Sequence, residues 1–399
     1  MKQSISVLIC ALLFISSYGQ EKDSIVEILN QKLQSIYAKG PIVGFSVAVV
    51  DAESTRYTNG FGYADVSTKT AFTSRTIQNI ASISKTVIGV ALIKAQELGK
   101  LNLDDPINKY LPFSVSNPYF PKETITIRQL ATHTSTIRDA PEYEKKGYVL
   151  RSQKNEGAKK KKNFRPPNEL MDYARFLEKI LSTYGQWYSK KNFIKKKPGA
   201  IFEYSNIGAG LAALVLQYAA GQSFSTFTET HVFEPLGMLH TGWLLDEANA
   251  SHHSSLYLNK GKALAPYQLV NYPDGGLITS SGDLAIYLTE LISGYSGEGN
   301  LLSNKGYSEL FKPNLETVIH ENRSDRKYND EFDMGIFMGI SAQDQVGHSG
   351  GDPGVTTMMF FDTRTNIGKL LLINTELSKD GINELIEIWT TLEDFETKL

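Results

Sequence analysis

Asn79-Ile80-Ala81-Ser82-Ile83-Ser84-Lys85-Thr86 passes without a break into Val87-Ile88-Gly89-Val90-Ala91-Leu92-Ile93. From Ser84 to Leu98 apolar side chains fall on almost every side of a helix, and Gly99 follows as a left-handed cap residue. A helix apolar all round belongs at the centre of a fold, so Lys85 at its mouth is expected in a cleft. Ser82 and Lys85 are three residues apart, a spacing that lets the amine approach the hydroxyl. A free serine hydroxyl is a poor nucleophile, and an amine held neutral by desolvation or by cationic neighbours can take its proton. The N–H groups of a helix N-terminus also favour negative charge developing nearby. Ser-x-x-Lys is a common string, and a capped helix with a surface lysine is its bland reading. The apolar helix behind it argues against that reading.

Working outward, residues 23–37 carry apolar side chains at helical spacing, and Ile42 to Asp51 reads as a strand forming a hairpin with Arg56 to Gly62. Gly208 to Ala220 and Gly282 to Ser293 read as helices. Thr356 to Phe361 and Gly368 to Asn374 read as strands, and Lys379 to Leu392 as a closing helix. Strands cluster near both ends with helices between them. The expected class is α+β, with the two chain ends building one antiparallel sheet flanked by helices and a mainly helical middle.

Two further stretches carry chemistry. In Pro198-Gly199-Ala200-Ile201-Phe202-Glu203-Tyr204-Ser205-Asn206, Tyr204 and Asn206 are two apart, so an extended segment would turn phenol and amide to one cavity. A phenol beside a lysine loses its proton more readily, which would suit it to shuttle a proton; the bland reading is one packed tyrosine among 20. Gly347-His348-Ser349-Gly350-Gly351 is a literal G-x-S-x-G, but glycines and Pro353 follow where a nucleophile elbow needs a helix. His348 is also the last of the seven histidines, so no later one can complete a triad. The stretch reads instead as an edge strand whose small residues admit a substrate backbone, with His348 and Ser349 donating to substrate and the Gly351 N–H facing an oxyanion.

Ser82-Ile83-Ser84-Lys85, Tyr204-Ser205-Asn206 and His348-Ser349-Gly350, in that order, resemble the three motifs of the penicillin-recognising serine hydrolases, in the branch of class C β-lactamases, DD-carboxypeptidases and related esterases. Leu130-Ala131-Thr132-His133-Thr134-Ser135, Glu234-Pro235-Leu236-Gly237-Met238 and Gly275-Gly276-Leu277 add to the likeness. The resemblance implies a β-lactamase-like fold in which Ser82 is acylated while Lys85 and Tyr204 exchange its proton. Asn206, His348, Ser349, Gly350 and Gly351 would line the substrate, and the N–H groups of Ser82 and Gly351 would form the oxyanion hole. His133 is expected to be structural. Two departures stand out. His-Ser-Gly replaces the Lys-Thr-Gly of dedicated class C β-lactamases, so an anionic substrate would be helped by His348 mainly in acid. Thr136 stands where the family often has glycine.

The chain has 399 residues and a formal net charge of −2, which gives no global attraction to nucleic acid. Residues 1–19 have the pattern of a signal peptide: Lys2, an apolar run from Ile5 to Ile15, and small residues at Ser17 and Gly19. The lone Cys10 lies in that run, so residues 20–399 would form one exported hydrolase domain without disulfides, periplasmic or secreted. Between residues 142 and 197, 16 basic residues face 6 acidic ones, which reads as a basic surface insertion able to meet an anionic envelope polymer. His252-His253 lacks a third ligand at metal-like spacing, so neither metal nor cofactor is expected. The expected function is hydrolysis of an amide or ester through an acyl-enzyme, on a D-amino-acid peptide, small ester or β-lactam. The alternative is a non-catalytic relative that binds peptidoglycan or another envelope ligand. The sequence gives no oligomeric state.

Overall fold

In the computed structural model, residues 23–155, 157–244 and 252–399 are described. The stretch expected to be a signal peptide, with Cys10, lies outside them. Helix α1 spans 23–39, and strands β1 (Gly44–Val50) and β2 (Thr55–Asp65) form the expected hairpin, followed by the short β3 (Thr70–Ala71). Helices α2 (Ser84–Glu97), α3 (Asn206–Ala220) and α4 (Ser281–Tyr295) come from the middle of the chain. Strands β4 (Asp333–Met334), β5 (Gly339–Ile340), β6 (Gln345–Asp352), β7 (Val355–Asp362) and β8 (Ile367–Ile373) lead to the last helix, α5 (Lys379–Phe395).

The eight strands make one antiparallel sheet in the order β4-β5-β6-β7-β8-β1-β2-β3. The two chain ends meet where β1 pairs with β8, Phe45 opposite Ile373 and Val50 opposite Gly368. Every residue of both strands is buried, because the sheet is covered on both faces. Alternation sorts the side chains. Val47, Val49, Leu371 and Ile373 pack against Leu29 and Leu33 of α1 and Ile388, Trp389 and Leu392 of α5. Ala48, Val50, Leu370 and Leu372 face the helical middle, where α2 is buried on nearly all sides beside α3 and α4. The architecture is α+β, as expected.

β5 meets β6 only at Gly339–Gly347 and Ile340–Val346, so His348 to Asp352 form a free edge. That edge lies against the 3₁₀ turn Ala81–Ile83 that opens α2. The basic stretch differs from its reading as a surface insertion. Its lysines 159, 160 and 162 are exposed, yet Tyr143, Phe176, Leu177, Ile180 and Phe193 are buried in the main core. Tyr148–Leu150 also pairs with Tyr267–Leu269.

Candidate active site

Ser82 sits at the middle of the 3₁₀ turn directly ahead of α2. Ala81 before it has φ +49°, a left-handed conformation costing a residue with a Cβ about 1–2 kcal/mol. The turn is pinned from two sides: Thr357 Oγ1 donates to the Ile80 carbonyl at 2.8 Å, and Ile80 N–H donates to the Leu277 carbonyl at 3.0 Å. Lys85 is fully buried; its Nζ donates to Ser82 Oγ at 3.0 Å and to the Asp274 carbonyl at 2.6 Å. Desolvation pushes the Lys85 amine down, against the attraction of Asp274, Asp139, Asp352 and Asp330. Of the two causes expected for a neutral amine, burial operates. The neighbours are carboxylates, not cations.

The Tyr204 phenol lies close enough to Ser82 for the serine to act on it, and its ring centroid is 5.1 Å from Lys85 Nζ. The three groups therefore converge. Burial holds the phenol well above its ordinary range, with Asp330 and Asp274 adding to the rise and the Ser82 bond opposing it. This corrects the expectation of a phenol readied to lose its proton: Tyr204 stays protonated beside the serine.

Asn206 opens α3, and its Nδ2 donates to Asp139 Oδ2 at 2.7 Å. Gly350 brings β6 up to the Ser82 turn. A Cβ there would lie 2.4 Å from Thr357 Oγ1, 2.7 Å from the Ile80 carbonyl oxygen and 3.0 Å from Ser82 N. Gly351 is exposed, with nothing within 4 Å of the point where a Cβ would sit, so the edge is open beside it. His348 and Ser349 depart from the expectation that they donate to substrate. The Ser349 N–H and Oγ–H donate to Asp330 Oδ2 at 2.6 and 2.9 Å. His348 Nδ1 lies 2.6 Å from the Ser349 carbonyl oxygen and 3.4 Å from Asp330 Oδ2. Burial lowers the His348 pKa and Lys85 lowers it further, while Asp330 and the Ser349 carbonyl oppose. The imidazole therefore takes up its proton at lower pH than an ordinary histidine, so its expected help to an anion recedes to lower pH.

The sequence reading missed four carboxylates of this cleft: Asp139, Asp274, Asp330 and Asp352. Asp274 is raised to about 7, chiefly by burial, and accepts from the Tyr143 hydroxyl at 2.8 Å and Asn271 Nδ2 at 2.6 Å. Asp352 is raised to about 6, again by burial, and accepts from the Tyr148 hydroxyl at 2.5 Å. Tyr143 and Tyr148 belong to the basic stretch, which therefore builds part of the cleft. Asp274 and Asp352 adjoin Gly275 and Gly351 in stretches already singled out, and that adjacency was the available signal. His133 is structural, as expected: it is buried, and its Nδ1 accepts from Ser205 N–H at 3.2 Å. Among the described residues no cluster of three or more His, Cys, Asp or Glu is arranged to hold a metal.

Comparison with known proteins bears on the fold and the family. Protein flp of Staphylococcus aureus (strain MW2) is 26% identical over 372 residues, which is 92% of this chain and 65% of flp; the chain thus spans just under two thirds of that relative. The β-lactamase/D-alanine carboxypeptidase from Yersinia pestis superposes with a TM-score of 0.67 at 20% identity, covering 92% of this chain and 98% of that one. The D-amino acid amidase from Ochrobactrum anthropi gives 0.66 at 20% identity with the same coverage. These two likenesses establish the fold. Residues 29–391 match the family model described as Beta-lactamase, which covers all three converging stretches, and the chain belongs to that family.

Proposed function

We propose that this protein is an exported serine hydrolase that cleaves an amide or ester through an acyl-enzyme on Ser82. The observation that carries the reading is the Ser82 hydroxyl bonded by Lys85 Nζ at 3.0 Å, with the Tyr204 ring centroid 5.1 Å from that same amine. The opposite pKa shifts divide the proton work. Lys85, pushed toward its neutral form, accepts the Ser82 proton as Oγ attacks the carbonyl carbon. Tyr204, held protonated, donates to the departing nitrogen or oxygen and is reprotonated from Lys85. Water then attacks the ester on Ser82 by the same steps in reverse. The N–H groups of Ser82 and Gly351 serve the oxyanion.

The substrate class follows from charge. Four carboxylates surround one amine, and the third motif offers a neutral imidazole already engaged with Asp330. A substrate that needs a cation for its own carboxylate, as a β-lactam does, is poorly served. Small esters, and D-amino-acid peptides whose leaving group carries no free carboxylate, fit better. Contact of the exposed lysines 159, 160 and 162 with an anionic envelope polymer belongs to the same proposal. A purely binding relative is disfavoured because hydroxyl, amine and phenol are all present and in contact.

A substrate panel on the purified chain tests this: a p-nitrophenyl butyrate, an N-acetyl-D-alanyl-D-alanine amide and a chromogenic cephalosporin. The ester or the peptide should exceed the cephalosporin in kcat/KM by at least about tenfold. A cephalosporin preferred by that margin overturns the substrate class. Turnover of none, with no acylated Ser82, supports the binding relative.

A further inference from the structure

The segment that carries His133 and Asp139 clasps the Tyr204 segment along its whole length. The His133 carbonyl accepts from Glu203 N–H at 2.8 Å, and His133 Nδ1 from Ser205 N–H at 3.2 Å. Asp139 Oδ1 accepts from Ser205 Oγ at 3.1 Å and from Ile207 N–H at 3.0 Å, while Oδ2 accepts from Asn206 Nδ2 at 2.7 Å. Two residues of the clasp have left-handed backbones, His133 at φ +54° and Thr136 at φ +70°, and both are buried. A β-branched residue at positive φ is strained, and such strain persists only where the surroundings fix the chain. Asn117 Nδ2 fixes it here, donating to Thr136 Oγ1 at 2.8 Å and to the carbonyls of Ile194 and Lys196.

An ionised carboxylate only accepts hydrogen bonds. The Asn206 amide nitrogen must therefore point at Asp139, and its carbonyl oxygen is the end turned away. No lysine or arginine pairs with Asp139 among the described residues; the first-turn N–H of α3 and two side-chain donors stabilise its charge.

Resting on the acyl-enzyme reading above, we infer that Asp139 is a positioning residue that sets the polarity Asn206 shows to the substrate, so that the cleft selects acyl groups carrying an N–H donor beside the scissile carbonyl.

The experiment compares the p-nitrophenyl esters of N-acetylglycine, which has that donor, and of butyrate, which lacks it. The Asp139→Asn variant keeps one carbonyl for Ile207 N–H and Ser205 Oγ. Its new amide then faces Asn206, which must turn its own carbonyl inward and present NH₂ to the cleft. The ratio of kcat/KM for the two esters should fall about tenfold, mostly through KM, which is the size expected for one lost hydrogen bond. The Asn206→Ala variant leaves Asp139 in place and should lose the same preference. An Asp139→Asn protein that folds and keeps the wild-type ratio overturns the inference, as does an equal loss on both esters, which would mark a merely structural role. If wild type hydrolyses neither ester and Ser82 takes an acyl group from no substrate of the panel, the acyl-enzyme reading fails instead, and the clasp is then read by NMR. The Asn206 side-chain amide protons should exchange slowly in wild type and at least about tenfold faster in Asp139→Ala; equal exchange refutes the clasp.

Discussion

Gly350 shows how tightly single positions constrain this site. Its absent side chain leaves room for β6 to lie on the Ser82 turn, and the three atoms a methyl would strike include two on the backbone there. Backbone cannot swing aside as a flexible side-chain end can, so strand and turn must part. Gly350→Ala is expected to lower kcat/KM at least about a hundredfold and to cost about 1–3 kcal/mol of stability, measured by steady-state kinetics and urea unfolding. Unchanged kinetics would mean that β6 does not border the reacting carbonyl. At this scale the sequence was partly legible. Ser82, Lys85 and Tyr204 could be found because their types and spacings imply a reaction. Asp139 could not, since its value lies in three donors up to 68 residues away. The fates of Ser349 and His348 were hidden for the same reason: Asp330 holds them across a turn that no local pattern announces.

Among elements, the long ones were legible and the stubs were not. Periodicity placed α2, β7, β8 and α5 within a few residues, because long amphipathic or fully apolar runs leave little choice. β4 and β5, two residues each, carry no period: β5 exists only because β6 offers it an edge, and β4 because β5 does in turn. α3 starts at Asn206, two residues before its apolar run, because Ser205 caps it and Asp139 holds the Ile207 N–H. α5 carries a titrating tie to the start of the sheet: Glu384 Oε2 accepts from Ile42 N–H at 2.9 Å, and burial raises that carboxyl from 4.5 to about 7. A carboxyl raised on folding contributes stability that is complete below about pH 4.5 and is lost as pH rises through about 7. Glu384→Gln keeps an acceptor for Ile42 without the titration. Its melting temperature relative to wild type should climb between pH 5 and pH 8. Parallel curves would show that Glu384 does not titrate in that window.

On the scale of the whole molecule, the sheet built from both chain ends delivers β6 to one side of the cleft, and the helical middle delivers α2 and α3 to the other. The charge segregation visible in the sequence has a counterpart in space. Carboxylates gather around Lys85, while exposed lysines of the basic stretch stand outside, joined to the cleft by Tyr143 and Tyr148 of that same stretch. Composition could show the basic excess but not that its aromatic residues face inward. Which face of a strand or helix meets which neighbour becomes visible only once the partners are known. The central claim is that this arrangement makes one serine, and no other, nucleophilic. Intact-mass and peptide mass spectrometry after treatment with a fluorophosphonate test it most directly. One adduct on Ser82 is predicted, absent from Ser82→Ala and slowed at least about a hundredfold in Lys85→Met. An adduct on Ser349, or labelling that survives Ser82→Ala, would contradict the account.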